Sequence, residues 1–113
     1  MNDKARMLDL ISTRFSNPHG LQNALNQSTP KDIIKLTRNA VKNPLFRDIV
    51  NTKVYQYNTY PDLHQAVPLV KKWSNTNKLL GSGWEGIKTG YTVAAGNCLA
   101  SLREGVFIVV LNC

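Results

Sequence analysis

The sequence predicts an α+β fold, an antiparallel sheet flanked by helices and incomplete within this chain, and three features point to it. Helical signals fill the first half, and strand signals fill the last third. The final two strand segments are joined by Glu104-Gly105, a two-residue connection suited to an antiparallel hairpin. That hairpin is apolar on both faces and so needs cover on both. The 113 residues are read as one partial domain, 1–113, with no second domain.

The elements follow in order. Residues 2–11 have helical periodicity, with Ala5, Leu8 and Ile11 on one stripe and Met7 beside it. Asn17-Pro18 and Gly20 in "FSNPHGL" break it into a loop. "STPKDIIKLTRNAVKN" (28–43) carries the clearest helix signal. Thr29 can cap it, Pro30 fits its first position, and Asp32 completes a capping box. Asn43-Pro44 ends it, and 44–50 form a further short helix. "KVYQYN" (53–58) is rich in β-formers and reads as a strand. Residues 59–72, with Pro61 and Pro68, read as a connection, and "WSNTNKLL" (73–80) has no clear period.

The tail reads as strand 86–92, turn 93–96, strand 97–103, turn, strand 106–112. Pairing Arg103 with Val106 places Cys98, Ala100, Leu102, Phe107, Val109 and Leu111 on one face. Leu99, Ser101, Val106, Ile108 and Val110 form the other. The helices could cover one face. The second would be covered by a segment outside this chain, by a partner subunit, or by helices divided between the faces. In this register Cys113 lies diagonally from Cys98, roughly 7–8 Å away, too far for an easy disulfide.

Composition narrows the function classes. Hydrophobic content of 42% is globular, and no apolar run reaches membrane-spanning length. Residues 1–12 lack a signal-peptide core. The net charge of +7 favours acidic partners. Its most ordered cluster, Lys31, Lys35, Arg38 and Lys42, has the spacing of a solvated helix face. There is no nucleic-acid-binding motif, so nucleic acid as a partner would rest on charge alone. Two cysteines without CxxC spacing, and His19 far from His64, do not make a metal site.

The most informative stretch is "GIKTGYTVAAGNCLA" (86–100), where Lys88-Thr89-Gly90 interrupts a strand. Glycine weakens a strand, and a lone lysine adds nothing to its packing. Lys-Thr-Gly on a strand is a signature of penicillin-binding proteins and class A β-lactamases. "RFSNPHGL", "STPKDIIKLTRNA", "NTNKLL" and this stretch occur in one order. Together they resemble the D-alanyl-D-alanine carboxypeptidases, the low-molecular-mass penicillin-binding peptidases. The resemblance implies a β-lactamase/penicillin-binding-protein-like fold, with a cleft between the sheet and a helical lobe.

It also implies roles. Lys88 and Thr89 would bind the terminal carboxylate of a peptidoglycan peptide ending in D-Ala-D-Ala. Gly90 would allow close approach, and the Tyr91 backbone N–H would donate to the oxyanion. His19, in "NPHGL", matches a loop beside the cleft and would join the substrate-binding residues; a loop histidine bonded to backbone explains it equally well. Asn75 and Asn77 resemble a segment leading to the strand, and turn-holding bonds explain them as well. No cofactor is implied. The family implies a secreted, periplasmic or cell-envelope location.

The family chemistry needs a Ser-x-x-Lys nucleophile turn and a Ser-x-Asn loop, which in the family lie upstream of the segment resembling "MNDKARML". There is no Ser-x-Asn. Ser28-Thr29-Pro30-Lys31 has Ser-x-x-Lys spacing, but it matches the family's non-catalytic helix start. The expectation is the C-terminal part of a serine-type carboxypeptidase domain, inactive alone. The alternative is a non-catalytic relative serving as a structural or peptidoglycan-binding module.

Overall fold

The computed structural model describes residues 1–60 and 67–113. Helices α1 (Asn2–Met7), α2 (Pro30–Ala40) and α3 (Pro44–Asn51) come first. The strands are β1 (Val54–Thr59), β2 (Leu69–Ser74), β3 (Glu85–Thr92), β4 (Gly96–Arg103) and β5 (Val106–Val110). They make an antiparallel β1–β2 ribbon and an antiparallel sheet ordered β3-β4-β5. Helices flank antiparallel sheets, as the fold class requires.

α1 is shorter than its periodicity predicts. Asp9 adopts a left-handed φ of 51°, which ends the turn. Ala5 and Leu10 are buried, and Ile11 is 90% exposed rather than on the apolar stripe. α2 begins where the sequence places it. Thr29 is extended, its hydroxyl accepts from Asp32 N at 3.2 Å, and Pro30 opens the helix. The return bond of a capping box does not form. Asp32 Oδ2 instead accepts from Ser12 N at 2.9 Å and from the Thr13 hydroxyl at 2.7 Å. This buried carboxylate ties the segment after α1 to the start of α2. Lys35, expected in solvent, is half-buried and donates to the Asp9 carbonyl at 2.8 Å. Asn43 caps α3 by accepting from Leu45 N and Phe46 N.

The core is Ile87, Ala100 and Leu102, with Ile33, Val41, Phe46, Phe107 and Val109 packed around it. The helices therefore cover the face holding Ala100 and Phe107. On the opposite face Ser101 is buried and Leu99 and Val110 are half-buried, but Val106 is 61% and Ile108 37% exposed, so the described residues cover that face only in part.

The Glu104-Gly105 turn has both residues at positive φ, and the β4–β5 register is the one read from the sequence. It slips at its far end, where Asn112 has φ 58°. Asn97 and Cys113 exchange backbone bonds at 2.8 and 3.1 Å, so Cys113 sits opposite Asn97. Both cysteines are free thiols.

The expected connection over 59–72 needs correction. Leu69–Ser74 is a strand, paired with β1 from Val54↔Ser74 to Thr59↔Leu69. The part of that connection with Pro61 and His64 lies outside the described residues.

Candidate functional site

Lys88-Thr89-Gly90 sits on β3, an edge strand of the three-stranded sheet. Gly86 pairs with Ser101 and Lys88 with Ala100, so Ile87 is an extra residue without a partner on β4. This β-bulge re-aims the strand. Ile87 is buried in the core, whereas Lys88 next to it is exposed. Nothing in the apolar pattern predicts the bulge, and Gly86 is its only local signal.

The two glycines flanking it differ. A Cβ on Gly86 would lie 2.6 Å from the Val50 carbonyl oxygen, so packing demands glycine there. A Cβ on Gly90 would meet only Cys98 Cβ, at an ordinary 3.8 Å. The fold does not need glycine at 90.

Beside this strand is an open pocket of about 610 Å³. Lys88, Thr89, Gly90 and Tyr91 line one side, and Thr76 and Asn77 belong to its wall. The Lys88 ammonium donates to the Thr89 carbonyl. The Thr89 hydroxyl is 2.6 Å from that of Thr76. Tyr91 is in register with Asn97 and is 68% exposed.

The polar run before β3 is a series of side-chain-stabilised turns. Asn75 Oδ1 accepts from Asn77 N at 2.9 Å, and Asn77 Oδ1 from Leu79 N at 3.0 Å. Asn75 Nδ2 donates to the Val50 and Thr52 carbonyls, at 3.2 Å each. Asn77 Nδ2 is buried with no hydrogen-bond partner among the described residues. The sequence marks the two asparagines and not Thr76 between them. The polar run was its only signal.

His19 is not among the residues lining this pocket. It is exposed, and its Nδ1 accepts from Leu21 N at 3.1 Å. Its loop reaches the end of β3 through Gln22, whose Oε1 accepts from the Thr92 hydroxyl at 3.0 Å. Ser28 is occupied elsewhere. Thr13 gives its proton to the Asp32 carboxylate, so at 2.9 Å the Ser28 hydroxyl donates to Thr13 Oγ1.

Behind the site, Arg47 of α3 holds Glu85 of β3 through two 2.5 Å bonds, and Asn51 adds one at 3.2 Å. The Arg47 hydrogen bond holds the Glu85 carboxyl below its usual range, although burial pushes the other way. A lowered carboxylate pKa adds stability above the unfolded value, about 4.3. That stability disappears as pH falls through the lower folded value. Glu85→Gln should therefore melt lower than the parent near pH 7, with the gap closing toward about pH 3. Melting curves across that range check this. A constant gap would mean that the carboxylate's charge is not what holds α3 to β3.

A family model described as D-alanyl-D-alanine carboxypeptidase matches residues 1–112. The D-alanyl-D-alanine carboxypeptidase of Streptomyces sp. (strain K15) is 37% identical over 113 residues, covering 96% of this chain and 38% of that protein. A D-alanyl-D-alanine endopeptidase of Escherichia coli (strain K12) is 35% identical over 102 residues, covering 88% of this chain and 31% of that protein. The crystal structure of the Streptomyces K15 DD-transpeptidase matches with a TM-score of 0.81 at 36% identity. The match covers 98% of this chain and 44% of that chain. The chain thus spans less than half the length of these relatives.

Proposed function

The chain belongs to the D-alanyl-D-alanine carboxypeptidase family, and on that basis we propose that β3 is the substrate-binding wall of a serine-type D-Ala-D-Ala carboxypeptidase domain. The observation that carries this is Lys88-Thr89-Gly90 at a sheet edge, lining an open pocket, with a glycine that packing does not require. Lys88 supplies a charge and Thr89 a hydroxyl for the C-terminal carboxylate of the peptide. Gly90 leaves room for the peptide backbone. The backbone N–H of Tyr91 serves the oxyanion. In the intact reaction a serine attacks the peptide carbonyl, terminal D-alanine leaves, and water hydrolyses the acyl-enzyme.

These 113 residues do not carry that nucleophile. Ser28, the serine of the Ser-x-x-Lys spacing, donates into the Thr13–Asp32 network. The chain should bind a peptide ending in D-Ala-D-Ala without hydrolysing it. It should also form no covalent adduct with a fluorescent penicillin. A labelled band lost in Ser28→Ala would make Ser28 the nucleophile and overturn this assignment. The binding half is tested by amide chemical shifts on peptide titration. Shifts centred on 88–91 support the reading, and their absence there sinks it.

A further inference from the structure

We propose that the β1–β2 ribbon is a docking surface for an anionic lipid bilayer. All of β2, and all of β1 but Thr59, is exposed, and neither strand packs substantially on another described element. A two-stranded ribbon is marginal in water by itself. This one is held by stacking: Trp73 lies 5.0 Å from Tyr57 and 6.2 Å from Tyr55, ring centre to ring centre. These rings remain open to solvent, with Trp73 and Tyr55 each 57% exposed.

The order of side chains along the ribbon is what identifies the partner. Toward its outer end stand Val67 and Val70, 70% and 62% exposed. Lys71 and Lys72 follow, and then Trp73 with the two tyrosines. Across 53–78 the sequence has Lys53, Lys71, Lys72 and Lys78 against one acid, Asp62. Apolar side chains beyond a band of aromatic rings and lysines match the gradient from acyl chains through the interface to anionic headgroups. A soluble polyanion would account for the lysines and leave the exposed valines without a role. An apolar protein groove would account for the valines and leave the charge excess without one. This proposal is independent of the peptide-binding role of β3.

The test is co-sedimentation of the 113-residue chain with phosphatidylcholine vesicles, with and without about 30% phosphatidylglycerol, near 0.1 M salt. The expected result is binding at least about tenfold stronger to the anionic vesicles. Lys71→Glu/Lys72→Glu should weaken it by about twentyfold or more, at about fivefold per lysine. Lys31→Glu/Lys42→Glu, with the same net charge on exposed positions of the α2 region, should weaken it less than about threefold. Val70→Ser, which leaves every charge in place, should weaken it by about threefold. Equal loss in both double variants would overturn the proposal, since net charge alone would then explain the binding. Equal binding to neutral vesicles would also overturn it, in favour of the open sheet face. So would ribbon variants that reduce binding to insoluble cell-wall polymer but not to vesicles.

Discussion

Lys88→Ala should weaken binding of a peptide ending in D-Ala-D-Ala by about ten- to over a hundredfold. That is the worth of one charge-assisted hydrogen bond, about 1.5–3 kcal/mol. Lys42→Ala, an exposed lysine in the α2–α3 connection, should change it less than about twofold. Amidating the peptide's C-terminus should remove most of the difference, because Lys88 then has no anion to meet. Titrations with both peptides against the three proteins decide this. Equal losses on acid and amide would mean that Lys88 supports the strand rather than reads the carboxylate. No loss at all would reduce it to an ordinary surface lysine.

The second large effect separates two glycines that are only four apart in sequence but differ in what surrounds them. Gly86→Ala pushes a methyl group to 2.6 Å from the Val50 carbonyl oxygen, with Leu80 and Asn77 at 3.2 and 3.3 Å. Backbone has to move, so the expected cost is about 3 kcal/mol or more, about 10 °C or more in Tm. Gly90→Ala meets only Cys98 and frees the strand of a flexible residue, so stability should stay level or rise by about 0.5 kcal/mol. Its methyl group projects where the peptide would lie, and binding should fall by about tenfold. Thermal melts with peptide titrations measure both. A Gly90→Ala protein that binds normally would show that the open space serves no ligand.

How much of this was legible in the sequence depends on where the deciding interaction lies. The start of α2 was readable because Thr29 and Pro30 act within one turn. The Glu104-Gly105 register was readable because a two-residue turn fixes it locally. Asp32 reads as a capping partner from its spacing to Thr29, but its carboxylate serves Ser12 and Thr13, some 20 residues away in sequence. β2 was missed for the opposite reason. An exposed ribbon has no buried face to impose alternation, so Leu69-Val70-Lys71-Lys72 carries no strand signature. At the candidate site the Lys88-Thr89-Gly90 motif stood out because it is wrong for a strand. Thr76 did not, because a threonine among polar neighbours is unremarked until its hydroxyl is found against Thr89. The pocket itself comes from the polar run before β3 folding back against that strand, as the Thr76–Thr89 contact shows, and no local pattern encodes that return.

The unmatched Ile87 in β3 has a genetic consequence. Strands have a period of two, so each added or lost residue reverses which side the remainder presents. The bulge is such a reversal, already built in between a half that answers to the core and a half that faces the pocket. An in-frame loss of codon 87 would erase it and set the two halves in competition: either the core keeps its contacts and 88–91 turn over, or the motif stays put and Glu85 leaves Arg47. Loss of one codon from Val93-Ala94-Ala95, beyond the last paired residues, would only tighten a turn. In a deletion scan along this gene, sensitivity should therefore peak at the bulge and drop at the hairpin tip, although both sites lie within ten codons of each other.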